Sequence, residues 1–161
     1  MSKNRKYLTA IAVVVIGLVS PFLVAAQTPQ KYAPRLADIM SAVQFRHLKL
    51  WTAGRQQNWE LAAYELGLLK AGLTEAISLY NDIPVENVTM IDPPITSLDK
   101  AVAAKNSADF NKAFNELTGG CNACHQSIGR GFIVMTVPAA SPFSNQSFSA
   151  VPEKRKPNAP R

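Results

Sequence analysis

Five consecutive residues, Cys121, Asn122, Ala123, Cys124 and His125, hold the only two cysteines and one of the only two histidines of the 161-residue chain. Two thiols three positions apart project to one side of a helix. There they can add across the two vinyl groups of a haem, while the histidine that follows them turns its imidazole to the iron. Other uses of the pair meet obstacles. A structural zinc site takes four ligands, and that count is reached only by recruiting His47 from far upstream. A thioredoxin-like redox pair belongs at the start of a helix that follows a strand, and no strand pattern precedes Cys121. A disulfide across CxxC stays open as an alternative, although so short a loop gains little stability from closure. The spacing favours one covalent haem c, held by Cys121 and Cys124, with His125 as the proximal iron ligand.

The elements that must position this motif are read from apolar spacing. Pro34 suits the first turn of a helix. Leu36, Met40, Val43, His47 and Leu50 then recur at steps of four and three up to Gly54, one stripe on a helical face. Asn58 is a good cap for a second helix, which carries Ala62, Leu66, Leu69, Leu73, Ile77 and Tyr80 until Pro84. Residues 83–95 hold Pro84, Pro93 and Pro94 without a steady period and read as a crossing loop. Thr96, Ser97 and Asp99 mark a short third helix over residues 97–105, with Leu98, Ala101 and Val102 inward. Ser107 is the expected cap of a fourth helix, whose stripe of Phe110, Ala113, Leu117, Cys121, Cys124 and Ile128 runs to Gly129 and Gly131. Gly119 and Gly120 interrupt that stripe, each costing about 1 kcal/mol against alanine in a helix. Close approach of a flat macrocycle is the expected reason. The chain is thus expected to be all-α, an antiparallel four-helix bundle over residues 27–131 with an extended tail over 132–161. Phe132, Ile133, Val134, Phe143 and Phe148 should pack back over the bundle, and the last dozen residues should be disordered.

Lys3, Arg5 and Lys6 precede an apolar run from Leu8 to Val19, and Val24, Ala25 and Ala26 follow Pro21. This reads as a signal peptide over residues 1–26, cleaved before Gln27, with no membrane span left afterwards. The formal charge of +6 resides at the two ends, because residues 27–151 carry ten basic and ten acidic side chains. A nucleic-acid surface is therefore not expected. Isolated Asp and Glu residues read as a solvated helix surface. No catalytic set stands out beyond the CxxCH motif, and the chain is not expected to be an enzyme.

Four helices with CNACH near the end of the fourth resemble the cytochrome c prime family and its low-spin relatives, the class II cytochromes c. The resemblance covers Pro34 to Arg130, and its specific part is FNKAFNELTGGCNACHQSIG. It implies an up-down-up-down bundle with haem at one end, and haem attachment outside the cytoplasmic membrane, in the periplasm, which agrees with an export signal. The tail from Phe132 onward is an addition to the plain bundle. Two functions follow as expectations. One is a carrier of single electrons that meets a redox partner protein transiently. The other is a five-coordinate haem protein that binds nitric oxide or carbon monoxide. A haem-free exported helical module is a third reading, and a homodimer is left open.

For the sixth iron ligand the sequence offers Met40, then His47, with Met135 as an outsider and an empty position as a further alternative. The resemblance makes the first and fourth helices antiparallel. At about 1.5 Å per residue, His125 then lies about 6 Å inside the end of the fourth helix, and Met40 about 9 Å and His47 about 20 Å inside the start of the first. Low-spin relatives also use a first-helix methionine. The plainer roles are core packing for Met40, and for His47 a hydrogen bond to a neighbouring helix or a propionate.

Overall fold

The computed structural model describes residues 33–150 apart from positions 81, 82, 85, 87 and 88. The expected signal peptide over residues 1–26 and the basic end, residues 151–161, lie outside the described residues. Within them the chain is all-helical: α1 Leu36–Arg55, α2 Trp59–Leu79, α3 Asp92–Ala103 and α4 Ser107–Ser127, with no strand.

Caps and turns account for most of the boundaries. Asn58 caps α2 by accepting from the Leu61 amide at 3.2 Å. At α4 the cap is Asn106 rather than the expected Ser107, because its side-chain oxygen takes the amides of both Ala108 and Asp109, at 2.9 and 3.1 Å. The third helix also starts earlier than its polar residues imply. Pro93 and Pro94 occupy its first turn, where a missing N–H leaves no bond unmade, so the supposed crossing loop ends at Ile91. Ser97 sits inside the helix and donates to the Pro93 carbonyl. Gln57 and Lys105, at φ of 57° and 55°, reverse the chain within the short loops 56–58 and 104–106. Such tight loops join antiparallel neighbours.

The direction of α1 against α4 is fixed by side-chain contacts. Gly54 lies against Phe110, Trp51 against Phe114 at 4.7 Å between rings, and His47 bonds Thr118 at 2.9 Å. Each step back along α1 is met by a step forward along α4, so the two are antiparallel. Tyr80 donates to the Pro34 carbonyl at 2.8 Å and so ties the end of α2 beside the start of α1. The helices enclose a core of Leu50, Leu66, Leu69, Leu98, Phe110, Phe114 and Leu117, all buried. Gly54 permits a close approach to it, since a Cβ there would overlap the Phe110 ring.

Two expectations need correction. Glu65 is not part of a solvated surface: it is buried, 3.2 Å from Arg46 and 4.0 Å from Lys49 of α1, where a buried carboxylate requires such partners. The tail packs on the bundle through only some of its apolar residues. Phe148 is buried, Phe143 meets Phe45 edge-on at 5.3 Å, and Trp51 donates to the Pro138 carbonyl at 2.8 Å. Phe132 and Val134, in contrast, stay 83% and 69% exposed. Phe132 lies within a turn closed by the Ile133 amide on the Arg130 carbonyl, and the Ile133 side chain is itself 41% exposed, its backbone being engaged as described next.

Candidate functional site

The third helix is too short to flank the whole of α4. Ile91, just before α3, lies against Gly120, so the last turns of α4, which carry the CxxCH motif, run on beyond the start of α3. An apolar cavity of about 240 Å³ occupies that end of the bundle. Its walls come from the first half of α1, the second half of α2, the end of α4, Ile83, Ile91 and the tail. Cys121, Cys124, His125, Met40, His47 and Met135 all line it. Every residue singled out by the sequence for haem attachment or iron ligation is thus brought to one cavity.

Continuing the observed helix register separates the two distal candidates. His47 lies opposite Thr118; seven residues back on α1 is Met40, and seven residues forward on α4 is His125. Met40 is therefore level with His125, while His47 sits about 10.5 Å deeper along the axis.

His125 is held by the tail. Its Nδ1 lies 2.8 Å from the Ile133 carbonyl oxygen. A carbonyl only accepts, so Nδ1 carries the hydrogen and Nε2 keeps the ring's available lone pair, the arrangement in which metal-binding histidines are held. Comparison with protein-family models, curated proteins and solved structures gives no match.

The Thr118 hydroxyl donates to the Phe114 carbonyl at 2.9 Å, so its oxygen accepts from His47 Nε2–H. The His47 ring also leans on Phe114, 4.4 Å between centroids. The plainer role considered for His47, a hydrogen bond to a neighbouring helix, is thereby present. Burial pushes its pKa down to about 4. The fold holds the neutral ring, so its contribution to stability is whole above the ordinary value of 6.5 and declines as pH falls toward 4. Those two values correspond to a loss of about 3 kcal/mol. Urea unfolding between pH 7 and pH 4 should show this loss, and His47→Gln, which can still donate to Thr118, should flatten the profile. An equally steep profile in that variant assigns the loss to carboxylates instead.

The thiols are quiet. Burial, assisted by the neighbouring Cys124, pushes Cys121 up to about 11, and burial raises Cys124 as well. Both are free and protonated at neutral pH, the opposite of the lowered thiol that a thioredoxin-like pair needs. Among the described residues no three His, Cys, Asp or Glu side chains come together as a metal cluster. No described helix is long and apolar enough to cross a membrane.

The structure gives a packing reason for one of the two glycines before the motif. Neither Gly119 nor Gly120 lines the cavity; a Cβ on Gly119 would meet open space, and one on Gly120 would come within 2.9 Å of the Ile91 side chain. At Gly120 the close approach is by the segment entering α3, and Gly119 has no such neighbour. Asn122, Thr118 and the Ile133 carbonyl were not legible as site residues. Asn122 occupies an x position of CxxCH, Thr118 looks like one more small residue on a stripe, and a backbone carbonyl carries no sequence signal.

Proposed function

We propose that the chain is an exported c-type cytochrome that carries single electrons, with one haem c joined to Cys121 and Cys124 and ligated by His125. The observation that carries this is the His125 Nδ1–H bond to Ile133, which leaves Nε2 free at the wall of an apolar cavity that both thiols also line. When bound, haem supplies one-electron exchange between ferrous and ferric iron. The cavity fits such a group in its chemistry. Leu36, Leu69, Leu73 and Ile77 offer an apolar surface, the thiols are side by side on α4, and Met40 stands level with His125. The chain's own contribution is to hold the ligands, exclude water from the cavity and so fix the potential. The electron would pass to and from a redox partner protein in the periplasm by transient contact.

The test is co-expression with a haem-attachment system. Haem should remain on the chain after denaturation, and the ferrous protein should bind carbon monoxide slowly or incompletely. Rapid and complete binding supports the five-coordinate gas-binding protein instead. Absence of any Soret band leaves the helical interaction module.

A further inference from the structure

The tail is bonded to the CxxCH motif at two residues, His125 and Asn122, and the second of these is not needed to hold an iron ligand. Asn122, between the two cysteines, donates through Nδ2 to the Met135 carbonyl at 2.9 Å and accepts the Met135 amide on Oδ1 at 2.7 Å. Both polar atoms of one side chain are thereby committed to one residue of the tail. Two residues earlier, the Ile133 carbonyl accepts from His125 Nδ1. Three residues after Met135, the Pro138 carbonyl accepts from the Trp51 indole of α1. The Ile133 amide in turn donates to the Arg130 carbonyl at 2.9 Å. Residues 133–138 therefore form a strap across the motif, fixed at both ends, and the strap presents an acceptor to His125.

We infer that Asn122 is a positioning residue: through Met135 it holds the Ile133 carbonyl on His125 Nδ1–H and so sets the electron-donating strength of that imidazole. This rests on the haem reading above. A carbonyl on Nδ1–H makes a ligating imidazole more basic and fixes its orientation. A more basic axial ligand favours ferric over ferrous iron, and hydrogen bonding to axial ligands is one of the protein's levers on potential. The strap replaces water, which would otherwise meet His125, with a fixed acceptor. Asn suits the position because the task needs one donor and one acceptor on a short stem. Asp would keep the bond from the Met135 amide but place a second acceptor against the Met135 carbonyl.

The test compares the holo-protein with Asn122→Ala and Asn122→Asp by potentiometry and by amide hydrogen exchange, after helix content and covalent haem have been checked. Asn122→Ala should move the midpoint potential to a more positive value and speed exchange of the Met135 amide at least tenfold. Asn122→Asp should slow that exchange again relative to alanine. Trp51→Phe, which frees the other end of the strap but keeps an aromatic ring in the core, should shift the potential the same way by less, and it substitutes for Asn122→Ala if the latter fails to fold. Unchanged potential together with unchanged exchange in Asn122→Ala overturns the inference. So does faster exchange with no shift in potential, which makes the strap purely structural. If the wild type carries no haem, the function proposed above fails by that result alone, and the exchange measurement still decides whether Asn122 holds the strap.

Discussion

With Cys121 and Cys124 both changed to alanine, the chain is expected to lose covalent haem completely and to unfold at a much lower temperature, or to be degraded during expression. The motif lies on the wall of an apolar cavity of about 240 Å³ that α3 is too short to close. If leaving such space without packing partners costs about 24 cal/mol per Å³, the penalty reaches at most about 6 kcal/mol, less where water enters the mouth. Single domains are stable by only about 5–15 kcal/mol. The cavity term alone is therefore comparable with the whole stability, and whatever fills the cavity in the folded state stabilises that state by mass action. Thermal unfolding followed at 222 nm and limited proteolysis provide the measurement. Wild-type chain expressed without haem attachment is the control and should behave like the double variant. A sharply unfolding, protease-resistant variant shows that the helices close over the cavity without an occupant.

Much of the scaffold was legible because α1, α2 and α4 bury one face each, and burial of one face leaves a period in the sequence. Val43, His47 and Leu50, or Phe110, Ala113 and Leu117, are buried as that period requires. The start of α3 was hidden by Pro93 and Pro94, whose tolerance at a first turn looks in sequence like a broken helix. Ile39 was missed on α1 although it is buried, since a stripe of single residues is narrower than the face a helix buries in a bundle. At the candidate site, spacing alone singled out the cysteines and His125, and the fold brings all three to one cavity. The strap was not, since its bonds are made by backbone carbonyls and by an Asn in a position where the motif admits any residue. The buried Glu65 was also concealed, for its partners Arg46 and Lys49 lie on a different helix and carry no local pattern.

Met40→Ala is expected to abolish methionine ligation of the iron, while His47→Ala leaves it in place. The register of α1 on α4 decides between the two side chains. Gly54 with Phe110, Trp51 with Phe114 and His47 with Thr118 set the alignment, and the same alignment puts Met40 level with His125. Side chains lean toward the start of their own helix, which carries Met40 and His125 past each other only slightly in this antiparallel pair. His47 is about 10.5 Å deeper, and its Nε2–H is committed to Thr118. Its loss should appear as destabilisation instead, by about 2–4 kcal/mol, from the cavity and from a Thr118 oxygen left without its donor. The spectroscopic sign is the weak absorption near the red end of the ferric spectrum that methionine ligation gives. It should be present in the wild type, present in His47→Ala and absent from Met40→Ala, whose ferrous form should then take up carbon monoxide rapidly. Met135, carried to the same cavity by the strap, is the competitor to be tested beside it. A band that survives in Met40→Ala and disappears in Met135→Ala transfers the ligand to the tail. A low-spin signature lost only in His47→Ala requires α1 to slide by two turns, against the contacts of Gly54, Trp51 and His47 together.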